Sequence, residues 1–486
     1  MSKQATALSY AVRFSVLGKY FGQLCLVLSL LTVFPLAFSF LSGETHISER
    51  YLLVIAITTG IGWLLGRMPA AREVQVNEAM VLVASMFLFT PLVMTFPMMG
   101  SGLGFFDALF ETISAATTTG LSTVKTLDGM PKTFLFARAW MQWYGGLGIV
   151  ILSLALLFRP GAVAKRFALT ESSEDDLVGG TKAHARHVLG VYVVLTVAGI
   201  LLLASVGVGF LNSLLYTLAS VSTGGFAPYD ASLAALGGPV AHYLVILICF
   251  SGSVPLIFYY RLYSRNRRWT AETLQLRGIL VMGGIMTLFF GICLVTLDRT
   301  TWTQAIHYAP ALVFSAQSTA GFSVMDLSGL HAASKLVLII SMVVGGGVGS
   351  TAGGFKILRL IIIINVLGVM LRRACSSKHA VIAQRTAGRR MEDMDIQEAL
   401  LIVLLVVAVI LISWIPFVFM GYSPLDSLFE VVSAVGTVGL SAGVAGPDMP
   451  VFLKGVLCVD MLLGRLEILA WLVMVYPGTW VGRRLT

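Results

Sequence analysis

The 486 residues are 57% hydrophobic and only 12% charged, too apolar for a water-soluble globule, and apolar runs of membrane-spanning length recur along the chain. The net charge of +9 sits in short clusters between those runs, so it reads as membrane topology and argues against a nucleic-acid-binding face. Cys25, Cys249, Cys293, Cys375 and Cys458 stand singly with no C-x-x-C spacing, which implies neither a disulfide framework nor a metal centre.

At the start of the chain, Lys3 and Arg13 precede the apolar run Phe14–Leu41. It is too long for a signal-peptide core and is expected to stay as the first transmembrane helix. Further spans are expected at Tyr51–Leu65, Asn77–Met98, Thr133–Phe158, Val188–Val208, Pro239–Tyr260, Gly278–Leu297, Leu336–Met370, Ala399–Met420 and Pro450–Tyr476. Ten crossings put both termini on one side. Most Lys and Arg then share that side, in Arg67 with Arg72, Arg159–Arg186, Arg261–Arg277, Arg372–Arg390 and Arg483 with Arg484. The positive-inside rule makes it the cytoplasmic side.

Four shorter semi-apolar stretches lie on the outer side: Phe105–Thr117, Phe210–Ser222, Thr303–Ser318 and Pro424–Gly436. They are too short to cross and read as re-entrant helices. Each runs into a similar tripeptide: Thr118-Thr119-Gly120, Thr223-Gly224-Gly225, Thr319-Ala320-Gly321 and Thr437-Val438-Gly439. One T-x-G is an ordinary turn signal. Four of them at matched positions, each followed by Phe or Leu and then Ser or Ala, mark an internal repeat.

The repeat unit is span, short helix, T-x-G loop, span. The chain divides accordingly into a two-helix extension at 1–72 and pore repeats at 73–180, 181–272, 273–392 and 393–486. Each unit contains two crossings, so all four share one orientation and surround an axis along the membrane normal. The short helices would aim their negative C-terminal ends at that axis, favouring cations. Glycine permits positive φ and lets the loop turn its carbonyls inward, while threonine adds a hydroxyl. Such oxygens can replace the hydration shell of a bare cation. None of the loops carries a carboxylate, which points to a weakly held monovalent ion.

The eighth expected span, Leu336–Met370, is interrupted by Gly345, Gly346, Gly347, Gly349, Ser350, Thr351, Gly353 and Gly354. A helix loses roughly 1 kcal/mol per glycine relative to alanine, so this stretch should unwind. Irregular backbone at membrane depth is tolerated only where it is buried in protein or lines a watery path. Small-xxx-small helix packing explains two of these glycines but not six. A nucleotide-binding P-loop is set aside because Lys356 is displaced by one position and no Ser or Thr follows it.

The T-x-G loops, Trp143-Tyr144-Gly145-Gly146-Leu147-Gly148, Gly349-Ser350-Thr351-Ala352-Gly353-Gly354 and Gly464-Arg465-Leu466-Glu467 together make the chain resemble the Trk/Ktr/HKT superfamily of potassium transporters. The two spans before the first repeat make it most similar to the bacterial TrkH/TrkG branch. The resemblance implies an all-α integral membrane fold, with four span–pore-helix–span repeats in pseudo-four-fold arrangement around one pore. It also implies potassium as the ion, since Gly120, Gly225, Gly321 and Gly439 are all glycine and a serine at the first would go with sodium. The loop 345–354 is implied to be a gate under the filter. Arg465 is implied to be an electrostatic barrier in the cytoplasmic half of the pore.

Other charged residues leave alternatives open. Arg465 could instead pair with Glu467 or snorkel, and Lys356 reads as the start of a half-helix that neutralises nearby carbonyls. Glu111 and Glu430, seven residues before their filter threonines, either buttress the loops or add negative potential. Asp128, Asp230, Asp326 and Asp448 follow the filters on the outer side and would concentrate cations there or simply be solvated.

The cytoplasmic segments, including the acidic run Glu171-Ser172-Ser173-Glu174-Asp175-Asp176, suit a docked partner. By the resemblance this is a nucleotide-binding ring of the TrkA type on a homodimer of pore subunits. Any ATP or NAD would be held by that ring, with no cofactor on this chain and potassium only as the transported ion. The expected protein is thus a potassium uptake pore of the bacterial cytoplasmic membrane, in contact with lipid and not an enzyme. A symporter coupling potassium to protons or sodium is the alternative, and a membrane-embedded enzyme a remote one. The spans offer little for proton coupling beyond Asp460, Arg465 and Glu467, and no nucleophile–base pattern appears.

Overall fold

The computed structural model describes residues 11–69, 74–157, 177–263, 271–376, 385–386, 389–390 and 393–481. The acidic run 171–176 and the pair Arg483 and Arg484 lie outside the described residues, as does most of the polar segment between Ser376 and Asp393. Two packed helices open the fold, α1 (Phe14–Leu41) and α2 (Thr45–Gly66).

One pattern of elements then runs through the chain four times. It comprises α3 (Val76–Met98), α4 (Phe105–Ala116) and α5 (Lys132–Leu157), then α6 (Leu177–Ser205), α7 (Phe210–Val221), α8 (Pro239–Ser253) and α9 (Leu256–Tyr263). Next come α10 (Ala271–Thr296), α11 (Trp302–Gln317), α12 (Ala332–Val343) and α13 (Ile357–Ala374). The last set is α14 (Asp393–Phe419), α15 (Pro424–Val435), α16 (Val451–Arg465) and α17 (Leu469–Val475). The chain is a multi-pass membrane protein. Its surface is apolar, as a lipid-facing one is: Leu30, Leu64, Val194, Leu201, Leu288 and Leu404 lie exposed on the outside, while the T-x-G threonines Thr118, Thr223, Thr319 and Thr437 are fully buried inside.

The short helices α4, α7, α11 and α15 fall where the four semi-apolar stretches predicted them. The second spans differ from expectation. One interrupted span is expected from the sequence, and three are interrupted. Between α12 and α13 the chain forms a loop whose ends pair as two-residue parallel strands, β1 (Val344–Gly345) and β2 (Phe355–Lys356). The expected continuous span Pro239–Tyr260 is instead bent by 88° between α8 and α9. Its cause is Pro255, which lacks an N–H and pushes Val254 into extended backbone.

The expected continuous span Pro450–Tyr476 stops at Arg465 and restarts at Leu469. Glu467 and Ile468 between them hold φ of 53° and 63°, a strained region for a β-branched residue. Among the described residues six helices are long and apolar enough to cross a membrane uninterrupted, or seven if α8 and α9 count as one span.

Candidate ion-coordinating site

Each short helix ends in the same way. The threonine that opens each T-x-G loop takes a left-handed conformation, with φ of 53° at Thr118, 52° at Thr223, 55° at Thr319 and 48° at Thr437. Its N–H bonds the carbonyl three residues back: Thr118 to Ala115, Thr223 to Ser220, Thr319 to Ala316 and Thr437 to Ala434. The next N–H bonds the carbonyl five residues back: Thr119 to Ser114, Gly224 to Ala219, Ala320 to Ser315 and Val438 to Ser433. This is the Schellman helix terminus, a position that normally takes glycine. A β-branched residue held there four times costs roughly 1–3 kcal/mol each, strain that an ordinary turn would avoid by using glycine.

The glycine two residues later is also left-handed, with φ of 94° at Gly120, 79° at Gly225, 70° at Gly321 and 93° at Gly439. These glycines define a closed ring. A Cβ on Gly120 would lie within 3.0 Å of the Gly224 carbonyl oxygen, one on Gly225 within 3.0 Å of Ala320 O, one on Gly321 within 3.0 Å of Val438 O, and one on Gly439 within 3.0 Å of Thr119 O. Each loop therefore abuts the next in chain order, and the fourth returns to the first. Four middle-residue carbonyls, one per loop, meet the four glycines. The mouth on the glycine side of the ring is lined by all four glycines together with Arg138, Asp230 and Asp326.

Behind the ring the supports differ. Glu111 accepts from Ser122 Oγ at 2.6 Å and from the Thr123 N–H at 3.0 Å, and it pairs with buried Arg138 at 2.9 Å. Glu430 accepts from the Ser441 hydroxyl and from the N–H groups of Ala442, Val444 and Ala445. Both glutamates thus hold loop backbone. Lys454 joins Asp107, and Lys335 joins Asp426, each at 2.6 Å. These pairs tie the second spans of repeats four and three to the next short helix round the ring. Asp230 accepts from Thr126 Oγ at 2.7 Å and the Leu127 N–H at 2.8 Å, which joins the first two repeats.

Directly against the threonine end of the ring lies the glycine-rich loop 345–354. The Gly353 N–H donates to Thr319 Oγ at 2.7 Å, Thr351 Oγ lies 3.4 Å from Thr223 Oγ, and a Cβ on Gly353 would collide with Thr437 Oγ. The loop also satisfies the backbone freed by the α8–α9 bend. Gly347 N–H bonds Ser253 O at 2.9 Å, Thr351 N–H bonds Gly252 O at 3.1 Å, and Leu256 N–H bonds Gly349 O at 3.2 Å. Gly345, Gly346, Gly349, Ser350 and Gly354 complete this packed turn, with the Ser350 hydroxyl on Gly347 O at 2.6 Å.

Arg465, 2% exposed, closes the arrangement from below. Its guanidinium donates to Thr351 O in the loop and to Gly145 O in α5, both at 3.0 Å. It does not pair with Glu467, whose carboxylate instead joins Arg359. Lys356 stands at the start of α13 and donates to the Ala352 carbonyl, the structural position the sequence suggested. Two residues at the ring lie outside the sequence expectations: Gln142, whose buried side chain reaches the second loop, and Arg138, the partner of Glu111. A polar residue in an apolar span was the available signal for both.

The profile of the TrkH family, described as cation transport protein, matches residues 44–477. An uncharacterised cation transporter of Methanocaldococcus jannaschii is 27% identical over 460 residues, covering 93% of each chain. The Trk system potassium uptake protein TrkH of Halomonas elongata is 28% identical over 477 residues, covering 94% of this chain and 98% of its own. The crystal structure of the potassium transporter TrkH from Vibrio parahaemolyticus superposes with a TM-score of 0.84, covering 97% of this chain and 100% of that one at 20% identity. The chain therefore belongs to the TrkH family of cation transport proteins.

Proposed function

We propose that this protein carries potassium across the bacterial cytoplasmic membrane through the ring of four T-x-G loops. The observation that carries the reading is the closed ring itself: four strained threonines and four left-handed glycines bring one carbonyl per loop into a common circle. Carbonyl oxygens so gathered replace the hydration shell of a monovalent cation, and the loops lack a carboxylate that would hold a divalent one. The potassium named for the curated relatives supports the choice of ion.

In this reading the loop 345–354 is the gate. It fills the space under the filter threonines, and its hydrogen bonds to the α8–α9 bend and to Arg465 set the closed position. Arg465 places a buried positive charge below the filter, which repels cations until the loop moves. Passage is conductive. The pore subunits form a homodimer with both termini cytoplasmic, and a TrkA-type nucleotide-binding ring docks on the cytoplasmic face and holds any ATP or NAD. The five-part division at 72, 180, 272 and 392 follows the same repeat.

The test is flux into liposomes containing the purified protein, comparing potassium, rubidium and sodium at two pH values. Potassium and rubidium should pass faster than sodium, with no dependence on a proton or sodium gradient. Uptake that stops when such a gradient is removed would establish the symport alternative.

A further inference from the structure

In three of the four repeats the residue four before the filter threonine is serine: Ser114, Ser315 and Ser433. Each uses its hydroxyl on its own loop. Ser114 Oγ accepts from the Gly120 N–H and Ser433 Oγ from the Gly439 N–H, both at 3.0 Å, while Ser315 Oγ donates to the Phe322 carbonyl at 2.7 Å. The second repeat has Ala219 at this position, which has no such group. Its loop is held from outside instead. Gln142, fully buried on α5 of the first repeat, donates from Nε2 to the Gly224 carbonyl and accepts at Oε1 from the Phe226 N–H at 3.1 Å. Only this amide orientation satisfies both contacts.

We infer that Gln142 is a positioning residue for ion selection, supplying in trans the loop support that Ala219 cannot supply in cis. This rests on the reading of the T-x-G loops as the filter. The oxygen it grips is one of the four ring carbonyls, the one facing Gly120. Among the described residues the corresponding oxygens of Thr119, Ala320 and Val438 receive no such side-chain donor. A carbonyl has two lone pairs, and the amide occupies one while leaving the other for an ion. Removing it frees the oxygen to tilt, and a ring whose size is no longer held discriminates less well against the smaller sodium ion. Gly224 makes the reach possible, because a Cβ there would lie within 3.0 Å of the Gln142 side chain.

The experiment compares Gln142→Met, which keeps the bulk and loses both bonds, with the double variant Gln142→Met/Ala219→Ser, read as the potassium-to-sodium flux ratio in liposomes. The single variant should lower the ratio by about tenfold while potassium flux persists, as expected for losing a buried bonded pair. The added serine should restore most of it. An unchanged ratio in the single variant, or a double variant no better than the single one, overturns the inference. Should Gln142→Met not yield folded protein, Gln142→Asn has the same groups one methylene short and is compared in the same way. Gly120→Ser, measured alongside, separates the two levels: if it too leaves the ratio unchanged, the filter assignment itself has failed.

Discussion

On the orientation proposed above, the outer and inner halves of the pore follow opposite rules. At the ring, four sequence-divergent repeats converge on one backbone geometry, down to the same pair of hydrogen bonds and the same two left-handed positions. Below it, no two repeats agree: α5 runs on unbroken, α8 and α9 bend at a proline, α12 and α13 part around a glycine loop, and α16 and α17 part at Glu467 and Ile468. A ring of oxygens needs four equal contributors, so each loop is held to one shape. In the proposed function the gate is a single moving part, which one repeat provides while the others are reshaped to receive it.

The largest expected effect comes from breaking the ring's equality. In Gly225→Ala the new methyl would sit on the Ala320 carbonyl oxygen at a left-handed φ, which costs about 1–2 kcal/mol before the collision is counted. Potassium flux per folded protein should fall to roughly a tenth or less. Full activity would mean the loops do not touch as described. Next is the inner half. Arg465→Ala removes two charge-assisted bonds to the Thr351 and Gly145 carbonyls and should raise basal flux several-fold; reduced flux with a lowered melting temperature would make the arginine structural.

Gly120→Ser crowds the Gly224 carbonyl oxygen at a left-handed φ in the same way as Gly225→Ala crowds its neighbour, so its potassium flux should fall too; the smaller change that distinguishes it is a raised sodium-to-potassium ratio, and an unchanged ratio would count against the filter. The smallest concerns the mouth. The Ser328 amide and hydroxyl hold the Asp326 carboxyl below its ordinary range. Its charge is therefore favoured in the folded state and is lost only as pH falls through that lowered value. Asp326→Asn should weaken potassium uptake slightly and equally between pH 8 and 6, and a variant effect confined to one end of that range would contradict this.

The outer half was largely legible in the sequence because it is repeated: the helix lengths, the T-x-G positions and the need for glycine recur four times. The inner half was legible only where its signal was gross, as in the six glycines after Val344. Pro255 carried enough information to predict the α8–α9 bend, but a single proline inside an apolar run is common in membrane helices. The break at Glu467 and Ile468 has no glycine or proline of its own. It is sustained by tertiary contacts, Arg465 reaching the loop and Glu467 reaching Arg359, which a local pattern does not encode. Gln142 was missed for the same reason, since its role depends on what Ala219 lacks 77 residues later.

The most direct test is to locate the ion. Anomalous scattering from crystals of the protein grown in rubidium should show density on the axis of the ring, shared by the carbonyl oxygens of Thr119, Gly224, Ala320 and Val438. Rubidium bound away from that axis, or a ring region that excludes it while transport continues, would contradict the account.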